Sequence, residues 1–370
     1  MTMKHLFLIV FVLLTVPAFA NDSAKSIIIA DIALKKKPNI PKTQTAAPKE
    51  KPAAENATTQ NYIGKMDRMR ASFEDTLLEL GREHNLGYVE MIAANPGVDP
   101  WLPGRGTRII LPKRHLIPHG IERTGLIINL AEMRLYDFVT DPANPKTHPL
   151  GVGRNGLNTP TGLTKIMRKK EGPSWRPTPR MRKADPELPA VVEPGPDNPL
   201  GTHALYLGWP QYLIHGTHKP LGVGRRVSSG CIRMYPEDII RIFDDIPLNT
   251  RVNVIKQPIK LAWIGSMLYL EAHAEGELAD TFEESGKIKE YRVPETLFSD
   301  LSNIAGDHKD RLDWGAIREA VKYRQGIPVK ILTYRKNSND MEINEDILDI
   351  DDKPIIEKKS KTLQSFQLNG

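Results

Sequence analysis

The amino-acid sequence predicts a mainly β fold with short helices, preceded by a small βααβ module. The first observation is an apolar run at 125–130 followed by an alternating segment at 133–138, which is typical of a β-hairpin. More short apolar runs follow, with one helical start at 236–243, where a proline precedes two acidic residues. The second observation is a pair of short helical patterns between residues 64 and 115 that ends in an alternating segment.

The composition is that of a globular chain with a positive charge. The 370 residues carry a formal net charge of +6, with 40% hydrophobic and 26% charged residues. This length suggests about two or three domains, and this composition excludes disorder of the whole chain. The single cysteine excludes an internal disulfide framework and a zinc site built from cysteines. The positive charge allows an anionic partner, but it does not distinguish nucleic acid, lipid and an anionic polymer.

The N-terminus has the features of a cleaved secretory signal peptide over residues 1–20. Lys4 supplies a positive charge, Leu6–Val16 is almost wholly apolar, and Ala18-Phe19-Ala20 places small residues before a cleavage site. The apolar run is shorter than the roughly 20 residues that a membrane-spanning helix needs, so an uncleaved anchor is the weaker alternative. We therefore expect an exported protein without a stable membrane span.

Three segments lie outside the predicted module and the mainly β segment: a linker, a C-terminal extension and a tail. Residues 21–63 are rich in Lys, Pro and Ala, which predicts a flexible linker. Residues 259–334 predict a C-terminal extension with a strand or hairpin at 267–272, and the sequence assigns it no role. Residues 335–370 are charged and poor in aromatic residues, so we expect a disordered tail.

The segment 64–115 has a pattern of extended chain, helix, helix and strand. Helical patterns cover 76–80 and 89–94, and a strand pattern follows at 107–111. Its landmarks are Asp75-Thr76-Leu77, Asn95, Leu102-Pro103-Gly104 and Ile110-Leu111-Pro112. In order and spacing they resemble a LysM module, the carbohydrate-binding domain of peptidoglycan proteins, although Arg70–Phe73 stands where the family has a tyrosine-rich strand. The resemblance implies glycan binding, and a structural spacer is the alternative.

The residues with the clearest chemical meaning lie between 212 and 234. Cys231 is flanked by Gly230 and an Ile-Arg pair, and fifteen residues separate it from His215 on the preceding strand pattern. A thiolate is the attacking form of cysteine, a histidine takes the thiol proton, and a cation such as Arg233 stabilises the thiolate. Backbone N–H groups of Gly230 and Cys231 would form an oxyanion hole. The pattern predicts nucleophilic catalysis, and a buried structural cysteine with an unrelated histidine is the alternative.

A metal site is the other chemistry that the histidines suggest. His215 and His218 have His-x-x-His spacing, and His203 is close in sequence. However, Gly216 and Pro220 disfavour a helix, and no cluster of carboxylates accompanies the histidines. We therefore expect neither a metal nor a cofactor.

The block 214–234 contains a fixed order of special residues. It reads His215-Gly216-Thr217, a spacer, and Ser228-Ser229-Gly230-Cys231-Ile232-Arg233-Met234. This block resembles the active-site signature of the L,D-transpeptidases with a YkuD-type catalytic domain. The resemblance extends over 120–258, including Thr159-Pro160-Thr161-Gly162, and it implies a β-sandwich domain. Many family members have a histidine where this chain has Ser229, so an orienting role for that histidine is not carried over.

The resemblance implies acyl transfer on peptidoglycan stem peptides that contain diaminopimelate. Cys231 would attack the carbonyl before the terminal D-Ala, with His215 as general base and a backbone carbonyl as partner of the imidazole. An amine of a second stem peptide would give a 3-3 cross-link, and a lysine would attach an outer-membrane lipoprotein. Water or a free D-amino acid as acceptor would make the protein a carboxypeptidase or an exchange enzyme. The oxyanion and substrate-binding residues would be Gly230, Ser229, Ser228, Arg233, Gly216, Thr217 and Tyr206.

The order of signal peptide, LysM-like module and catalytic domain is similar to that of periplasmic Gram-negative members of the family. It implies a periplasmic protein that does not bind nucleic acid. A non-catalytic peptidoglycan-binding protein is the alternative from another functional class. That alternative predicts a lost nucleophile or base, and both residues are present in the sequence.

Overall fold

Strands outnumber helices in the computed structural model, which describes residues 60–286 and 293–333. The prediction of a mainly β fold with short helices is therefore confirmed. The predicted signal peptide at 1–20, most of the linker at 21–63 and the tail at 335–370 lie outside the described residues. No helix within the described ranges is long and apolar enough to cross a membrane.

The strands are numbered in chain order. They are β1 (Tyr62–Ile63), β2 (Asp67–Arg70), β3 (Arg108–Leu111), β4 (His115–Leu116), β5 (Leu126–Asn129), β6 (Arg134–Asp137), β7 (Lys146–Pro149), β8 (Val152–Gly153), β9 (Gly162–Glu171), β10 (His203–Leu207), β11 (Leu213–His215), β12 (Arg226–Ser228), β13 (Ile232–Arg233), β14 (Arg251–Ile255), β15 (Ile259–Ile264), β16 (Met267–Ala272) and β17 (Val329–Thr333).

The α-helices are short and lie mostly outside the central sheet. They are α1 (Leu77–Glu83), α2 (Tyr88–Ala94), α3 (Pro179–Ala184), α4 (Pro236–Asp245), α5 (Glu277–Ser285), α6 (Glu295–Ala305) and α7 (Trp314–Tyr323). Two short 3-10 segments add to them at Pro220–Gly222 and Gly306–Arg311.

A mixed eight-stranded sheet forms the centre of the molecule, in the order β13-β11-β10-β9-β14-β5-β6-β7. The predicted hairpin is present as β5 and β6, which pair antiparallel with Leu126 opposite Asp137. Two neighbouring pairs are parallel, β14 with β5 and β11 with β13. The second of these pairs matters for the site, because it brings two distant parts of the signature block side by side. A two-stranded ladder of β8 and β12 lies apart from this sheet.

The strand β9 is longer than the sequence predicts. The sequence indicates a strand at 161–167 and a loop from 169 to 199, but β9 continues to Glu171 because β10 supplies backbone partners. The loop that follows contains α3, and its base is closed where Trp175 and Val192 exchange two backbone hydrogen bonds of 2.8 and 2.9 Å. The loop is therefore tied down at its base rather than only at its ends.

The predicted order of strand, two helices and strand is present in the N-terminal module. The opening strand β2 lies slightly before the segment where the sequence analysis placed it, and it pairs antiparallel with β3. The Thr76 hydroxyl accepts the N–H of Glu79 at 3.1 Å and caps α1. This geometry does not test the LysM assignment, which stays a prediction.

The N-terminal module and the central sheet share one hydrophobic core. Leu77 and Met91 of the module belong to the same buried cluster as Ile128 and Leu205 of the sheet and Phe282 of α5. Full burial of such side chains stabilises the fold by about 1.5–3 kcal/mol each. Separating the module from the sheet would expose them, so the two parts are held in one arrangement.

The extension after the catalytic segment folds into a three-stranded antiparallel sheet, β15-β16-β17, covered by α6 and α7. The predicted strand or hairpin at 267–272 is confirmed, since β15 and β16 form a hairpin. Leu261, Leu270, Leu301 and Ile317 lie in a second buried cluster that is separate from the first. The extension therefore has its own core, and α5 with the preceding Ala274 packs into the shared one.

A network of fully buried charges joins the extension to the sheet. The Lys260 ammonium lies 2.5 Å from the Glu132 carboxylate and 2.8 Å from that of Glu271, and all three side chains are fully buried. The second oxygen of Glu271 accepts the N–H of Leu116 at 2.6 Å, and its first oxygen contacts His273 at 2.7 Å. These hydrogen bonds satisfy the ions that burial has removed from water.

A second buried ion pair joins the module to the sheet. Arg134 on β6 donates to the Glu90 carboxylate of α2 at 3.0 Å and to the Asn85 carbonyl at 2.9 Å. The same Glu90 oxygen accepts the N–H of Gly87 at 2.9 Å. Burial raises the pKa of Glu90, although the neighbouring Arg134 charge acts in the opposite direction. The junction therefore depends on polar contacts as well as on the shared core.

The buried network also contains potential metal ligands. Nitrogen and oxygen atoms of His115, Glu132 and Glu271 lie within 4.8 Å of one another. The Lys260 ammonium already lies against both carboxylates, so it takes the place that a cation would need.

Replacing Lys260 by methionine tests the buried network. Lys260→Met leaves two carboxylates without their ammonium, so we expect the free energy of unfolding in urea to fall by about 3–5 kcal/mol. The matched control is Lys113→Met, because Lys113 and its partner Asp67 are 36% and 49% exposed and lie 3.4 Å apart. That control should lower the free energy by less than about 1 kcal/mol. Equal effects of the two substitutions would contradict the importance of the buried network.

Candidate active site

The fold brings Cys231 and His215 onto neighbouring strands. Cys231 directly precedes β13, which pairs parallel with β11 so that Ile232 lies opposite Ile214 and Arg233 opposite His215. Neighbouring strands lie about 4.8 Å apart, and side chains two residues apart share one face. Cys231 packs beside Leu213, so the same face carries His215. The intervening fifteen residues are thus the connection between two paired strands.

The His215 imidazole is buried and uncharged. Its Nδ1 lies 2.6 Å from the Gly216 carbonyl oxygen, which only accepts, so Nδ1 carries the proton and Nε2 keeps its lone pair. Burial and the Arg233 charge lower the pKa of His215 to about 3. Hydrogen bonds to the backbone carbonyls of Gly216 and Leu200 act in the opposite direction and raise it. The contact with the Gly216 carbonyl is the one that the sequence analysis expected for the imidazole.

The Cys231 thiol is half-buried and protonated in the free protein. Burial raises the pKa of Cys231, although a backbone hydrogen bond from Leu213 and the Arg233 charge lower it. The thiol donates a hydrogen bond to the Gln211 carbonyl at 3.3 Å. The site therefore holds a neutral thiol and a neutral imidazole, rather than an ion pair of thiolate and imidazolium.

Ser228 shapes the loop in front of the cysteine. Its hydroxyl donates to the Cys231 carbonyl at 2.5 Å and accepts the N–H of Gly230 at 3.1 Å. The sequence analysis expected the Gly230 N–H in an oxyanion hole, but Ser228 occupies that donor here. The Cys231 N–H has no acceptor among the described residues. It is therefore the backbone donor beside the sulfur that a substrate oxygen can use.

Gly230 is required by its conformation and by its neighbour. Its φ is +112°, and a Cβ there would lie 3.1 Å from the Tyr212 ring. Thr159, from the segment that resembles the family's substrate side, donates to the Gly230 carbonyl at 2.8 Å and accepts the Gly153 N–H at 3.2 Å. The sequence analysis assigned Thr159 and Tyr212 no part in the site, because their contacts are made by residues far apart in the chain.

Arg233 places a positive charge beside the thiol. Its guanidinium is partly buried, and burial lowers its pKa. Within residues 60–286 and 293–333 no carboxylate forms an ion pair with it, and its Nε is buried without a hydrogen bond. This charge is thus available to an anionic ligand next to Cys231.

Of the other predicted site residues, one packs with the thiol, one shapes a turn and one is exposed to solvent. Tyr206 packs with Cys231 against the small cluster of Leu200, Ala204 and Leu213. Thr217 is buried, and its hydroxyl accepts the N–H of Lys219 at 3.0 Å, so it shapes a turn. Ser229 is exposed and makes no hydrogen bond to another described residue. The structure therefore brings Tyr206 to the thiol, while Thr217 acts on the backbone.

The long loop after β9 also reaches the site. Trp175 packs against the cluster that contains Cys231. The buried Asn198 amide holds the base of the loop by donating to the Pro173 carbonyl at 2.7 Å and to the Val192 carbonyl at 3.0 Å. The start of the loop therefore packs against the same cluster as the thiol.

Comparison with known proteins agrees with this geometry. A family model described as the YkuD L,D-transpeptidase catalytic domain matches residues 123–254. The probable L,D-transpeptidase YbiS of Escherichia coli K12 is 40% identical over 256 residues, which cover 67% of this chain and 81% of that protein. This chain belongs to the L,D-transpeptidase family.

Two more relatives extend the similarity beyond the catalytic segment. The probable L,D-transpeptidase ErfK/SrfK of Escherichia coli K12 is 37% identical over 67% of this chain and 80% of its own length. The probable L,D-transpeptidase YcfS of the same organism is 34% identical over 76% of this chain and 86% of its own length. The similarity to these L,D-transpeptidases therefore extends well beyond the residues that the family model matches.

In this family member the helix α5 braces the segment that leads to the cysteine. Arg226 pairs with Asp280 at 2.7 Å, and Arg225 pairs with Glu283. The Arg226 side chain is only 9% exposed, so its pair is screened less than a surface pair. Both arginines lie just before Ser228, and the extension therefore holds one side of the catalytic loop.

The same helix holds the facing loop. Glu277 accepts from the Asn155 side chain at 3.0 Å. The next residue back, Arg154, donates its N–H to the Ser228 carbonyl at 3.0 Å. Contacts from α5 thus reach both segments that frame Cys231.

The pH dependence of thiol alkylation tests the charge state of the site. Because burial raises the pKa of Cys231, we expect the rate with iodoacetamide to rise about tenfold per pH unit from about pH 6 to about pH 9. No step should occur near pH 6.5, since the pKa of His215 is about 3 and the imidazole is already neutral there. Mass spectrometry gives the rate, and Cys231 is the only cysteine. A plateau below about pH 7 would indicate a thiolate–imidazolium pair instead.

Proposed function

We propose that this protein is an L,D-transpeptidase that forms a thioester with peptidoglycan tetrapeptide stems and releases their terminal D-Ala. The observation that carries the proposal is that Cys231 and His215 lie on neighbouring strands and on one face of the sheet, and that the Gly216 carbonyl fixes the Nδ1 proton of a neutral His215 at 2.6 Å. A neutral imidazole with a free Nε2 is the form that accepts a proton from a thiol. Membership of the family supports the same reaction.

The first half-reaction makes the acyl-enzyme. The His215 Nε2 takes the thiol proton as the Cys231 sulfur forms a bond to the carbonyl carbon before D-Ala. The Cys231 N–H donates to the developing oxyanion. Collapse of this intermediate breaks the C–N bond, and the imidazolium returns its proton to the D-Ala amine. The products are free D-Ala and a thioester on Cys231.

The second half-reaction passes the acyl group to an amine. The amine attacks the thioester carbon, loses a proton to His215 and expels the Cys231 sulfur, which regains a proton. We propose a second diaminopimelate-containing stem as acceptor, which gives a 3-3 cross-link, or a lysine of an outer-membrane lipoprotein. Water and free D-amino acids are acceptors that the same thioester chemistry permits. The experiment below separates these outcomes.

Arg233 is proposed to hold a substrate carboxylate next to the reacting carbonyl. Its guanidinium lacks a carboxylate partner among the described residues, and a charge-assisted bond to a carboxylate would satisfy it. The terminal D-Ala carboxylate lies one residue beyond the attacked carbonyl, within reach of such a group. Arg233 would thereby favour stems that still carry D-Ala.

The N-terminal module is proposed to bind the glycan of the wall. Phe73, Trp101 and Leu102 are 81%, 55% and 75% exposed, and they lie in the loops before α1 and after α2. Exposed aromatic rings are favourable surfaces for sugar rings, whose C–H faces are apolar. The core shared with the sheet would then hold the site at a fixed distance from the bound glycan. Export by the predicted signal peptide would place the protein in the periplasm.

Incubation with tetrapeptide muropeptides tests the reaction. We expect Cys231→Ala to abolish release of D-Ala, and His215→Gln to lower its rate by about 10²–10⁴-fold through loss of the general base. The matched control is His218→Gln, an exposed histidine of the same segment, which should change the rate by less than about twofold. Mass spectrometry follows D-Ala, dimers and the thioester.

The products distinguish the acceptors. Dimers that depend on Cys231 identify a stem peptide as the acceptor, and a lipoprotein added to the mixture tests the lysine. Release of D-Ala without any dimer identifies a carboxypeptidase. If D-Ala release is absent or unaffected by Cys231→Ala, the enzymatic proposal is wrong and the non-catalytic wall-binding function is favoured.

A further inference from the structure

A β-bulge turns two cations of β9 toward the side of the sheet that carries the site. Tyr206 pairs with Arg168 and Leu207 with Ile166, so the register shifts by one residue between them. Ile166 is fully buried in the core beneath the sheet. The extra residue reverses the alternation after it, and Arg168 and Lys170 therefore share the face of Tyr206 and Ala204. Bulges commonly re-aim side chains in this way next to active sites.

Arg168 is held close to the nucleophile by one intervening side chain. Its guanidinium carbon lies 3.6 Å from the centre of the Tyr206 ring. Tyr206 itself packs against the cluster that contains Cys231. Stacking on the ring fixes the guanidinium plane and leaves its N–H groups free to donate at the edge. The geometry is that of a prepared anion site rather than of a loosely held surface arginine.

The basic residues of this region have no carboxylate partner among the described residues. Along 161–183 they are Lys165, Arg168, Lys169, Lys170, Arg176, Arg180, Arg182 and Lys183. None of these forms an ion pair with a residue that the structure describes, whereas Arg82 pairs with Glu237 and Arg251 with Glu122. The charge of Arg168 is therefore not neutralised by a described carboxylate.

We propose that Arg168, with Lys170, forms a carboxylate subsite for the acyl-donor peptide, upstream of the carbonyl that Cys231 attacks. This inference rests on the proposed function. The Arg168 guanidinium lies over Tyr206 on β10, and β10 is two strand spacings, about 10 Å, from β13, which Cys231 precedes. An extended peptide covers about that distance in about three residues. A stem peptide carries free carboxylates at such a distance from the attacked carbonyl. The subsite is separate from Arg233, which lies beside the sulfur.

The occupant is a peptide carboxylate because of where the cations lie. Arg168 lies over Tyr206, and Tyr206 packs against the same cluster as Cys231. The acyl-donor peptide is the ligand whose reacting carbonyl must lie at Cys231, whereas a nucleic acid or a membrane surface offers the thiol no such carbonyl. Binding of either of those in place of the peptide is an outcome that the test below detects.

The test pairs a substrate change with a protein change. One tetrapeptide stem carries its free upstream carboxylate, and a second has that carboxylate amidated. We expect amidation to lower kcat/KM for the wild-type protein by about 5–30-fold, mostly through KM, as a partly exposed charged hydrogen bond is lost. Arg168→Met should lower kcat/KM for the free carboxylate by a similar factor. For Arg168→Met the two stems should then be equivalent, because the partner of the carboxylate is gone.

The matched control is Arg108→Met, which removes an exposed arginine on β3 of the N-terminal module. It should leave the preference for the free carboxylate unchanged. Thermal unfolding of each variant verifies folding, and the wild-type comparison of the two stems needs no variant at all.

Three results would overturn the inference. Equal kcat/KM for the two stems with wild-type protein would show that no upstream carboxylate is bound. Losses that multiply in Arg168→Met would show that Arg168 and the carboxylate act independently. Tight binding of nucleic acid or anionic vesicles that Arg168→Met weakens, with no effect on the stem, would assign the cations to another partner. If D-Ala release does not depend on Cys231 with any stem, the proposed function itself has failed.

Discussion

The buried ammonium of Lys260 is the interaction on which the arrangement of the molecule depends. An ion without water is stable only when its hydrogen bonds are complete, and here two carboxylates and the Tyr136 hydroxyl complete them. Glu132 belongs to the sheet, Glu271 to the extension, and the Leu116 N–H that Glu271 accepts belongs to the segment leaving the module. One small network thereby fixes three parts of the chain relative to one another.

The catalytic loop uses this fixed frame from two sides. The extension presents α5, whose carboxylates pair with Arg225 and Arg226 just before the signature. The module presents the backbone at Gly87 and Val89, where the N–H of Val89 donates to the Gly224 carbonyl at 3.1 Å. A loop that must hold a glycine at φ +112° and a half-buried thiol needs support that its own short strands do not supply. The additional segments supply it.

Burial of the site determines the charge state of its two reactive groups. Burial keeps both the imidazole and the thiol neutral, since each charged form would lose hydration. When a substrate carbonyl binds, one proton moves from the neutral thiol to the neutral imidazole. The Arg233 charge stabilises the thiolate that forms.

The sequence by itself determined the family and the hairpin of the sheet, and it predicted the nucleophile and the base. These features are local. The signature block contains both Cys231 and His215, and the alternating pattern of β5 and β6 lies in adjacent residues. The tertiary structure decided the rest. From the sequence alone Lys260 resembles an ordinary surface lysine. Its partner Glu132 lies 128 residues away in the chain, so only the tertiary structure shows the ion pair.

The same reason applies to the details of the site. Three details depend on partners or on a strand register that no local pattern encodes. They are the hydrogen bond from the Gly230 N–H to Ser228, the ion pairs of α5 and the orientation of Arg168 toward the face of the site. The strand β9 extends beyond its predicted end because β10 pairs with it as far as Glu171. Local pattern thus predicted which residues carry the chemistry, and long-range pairing decided which of their atoms already have hydrogen-bond partners.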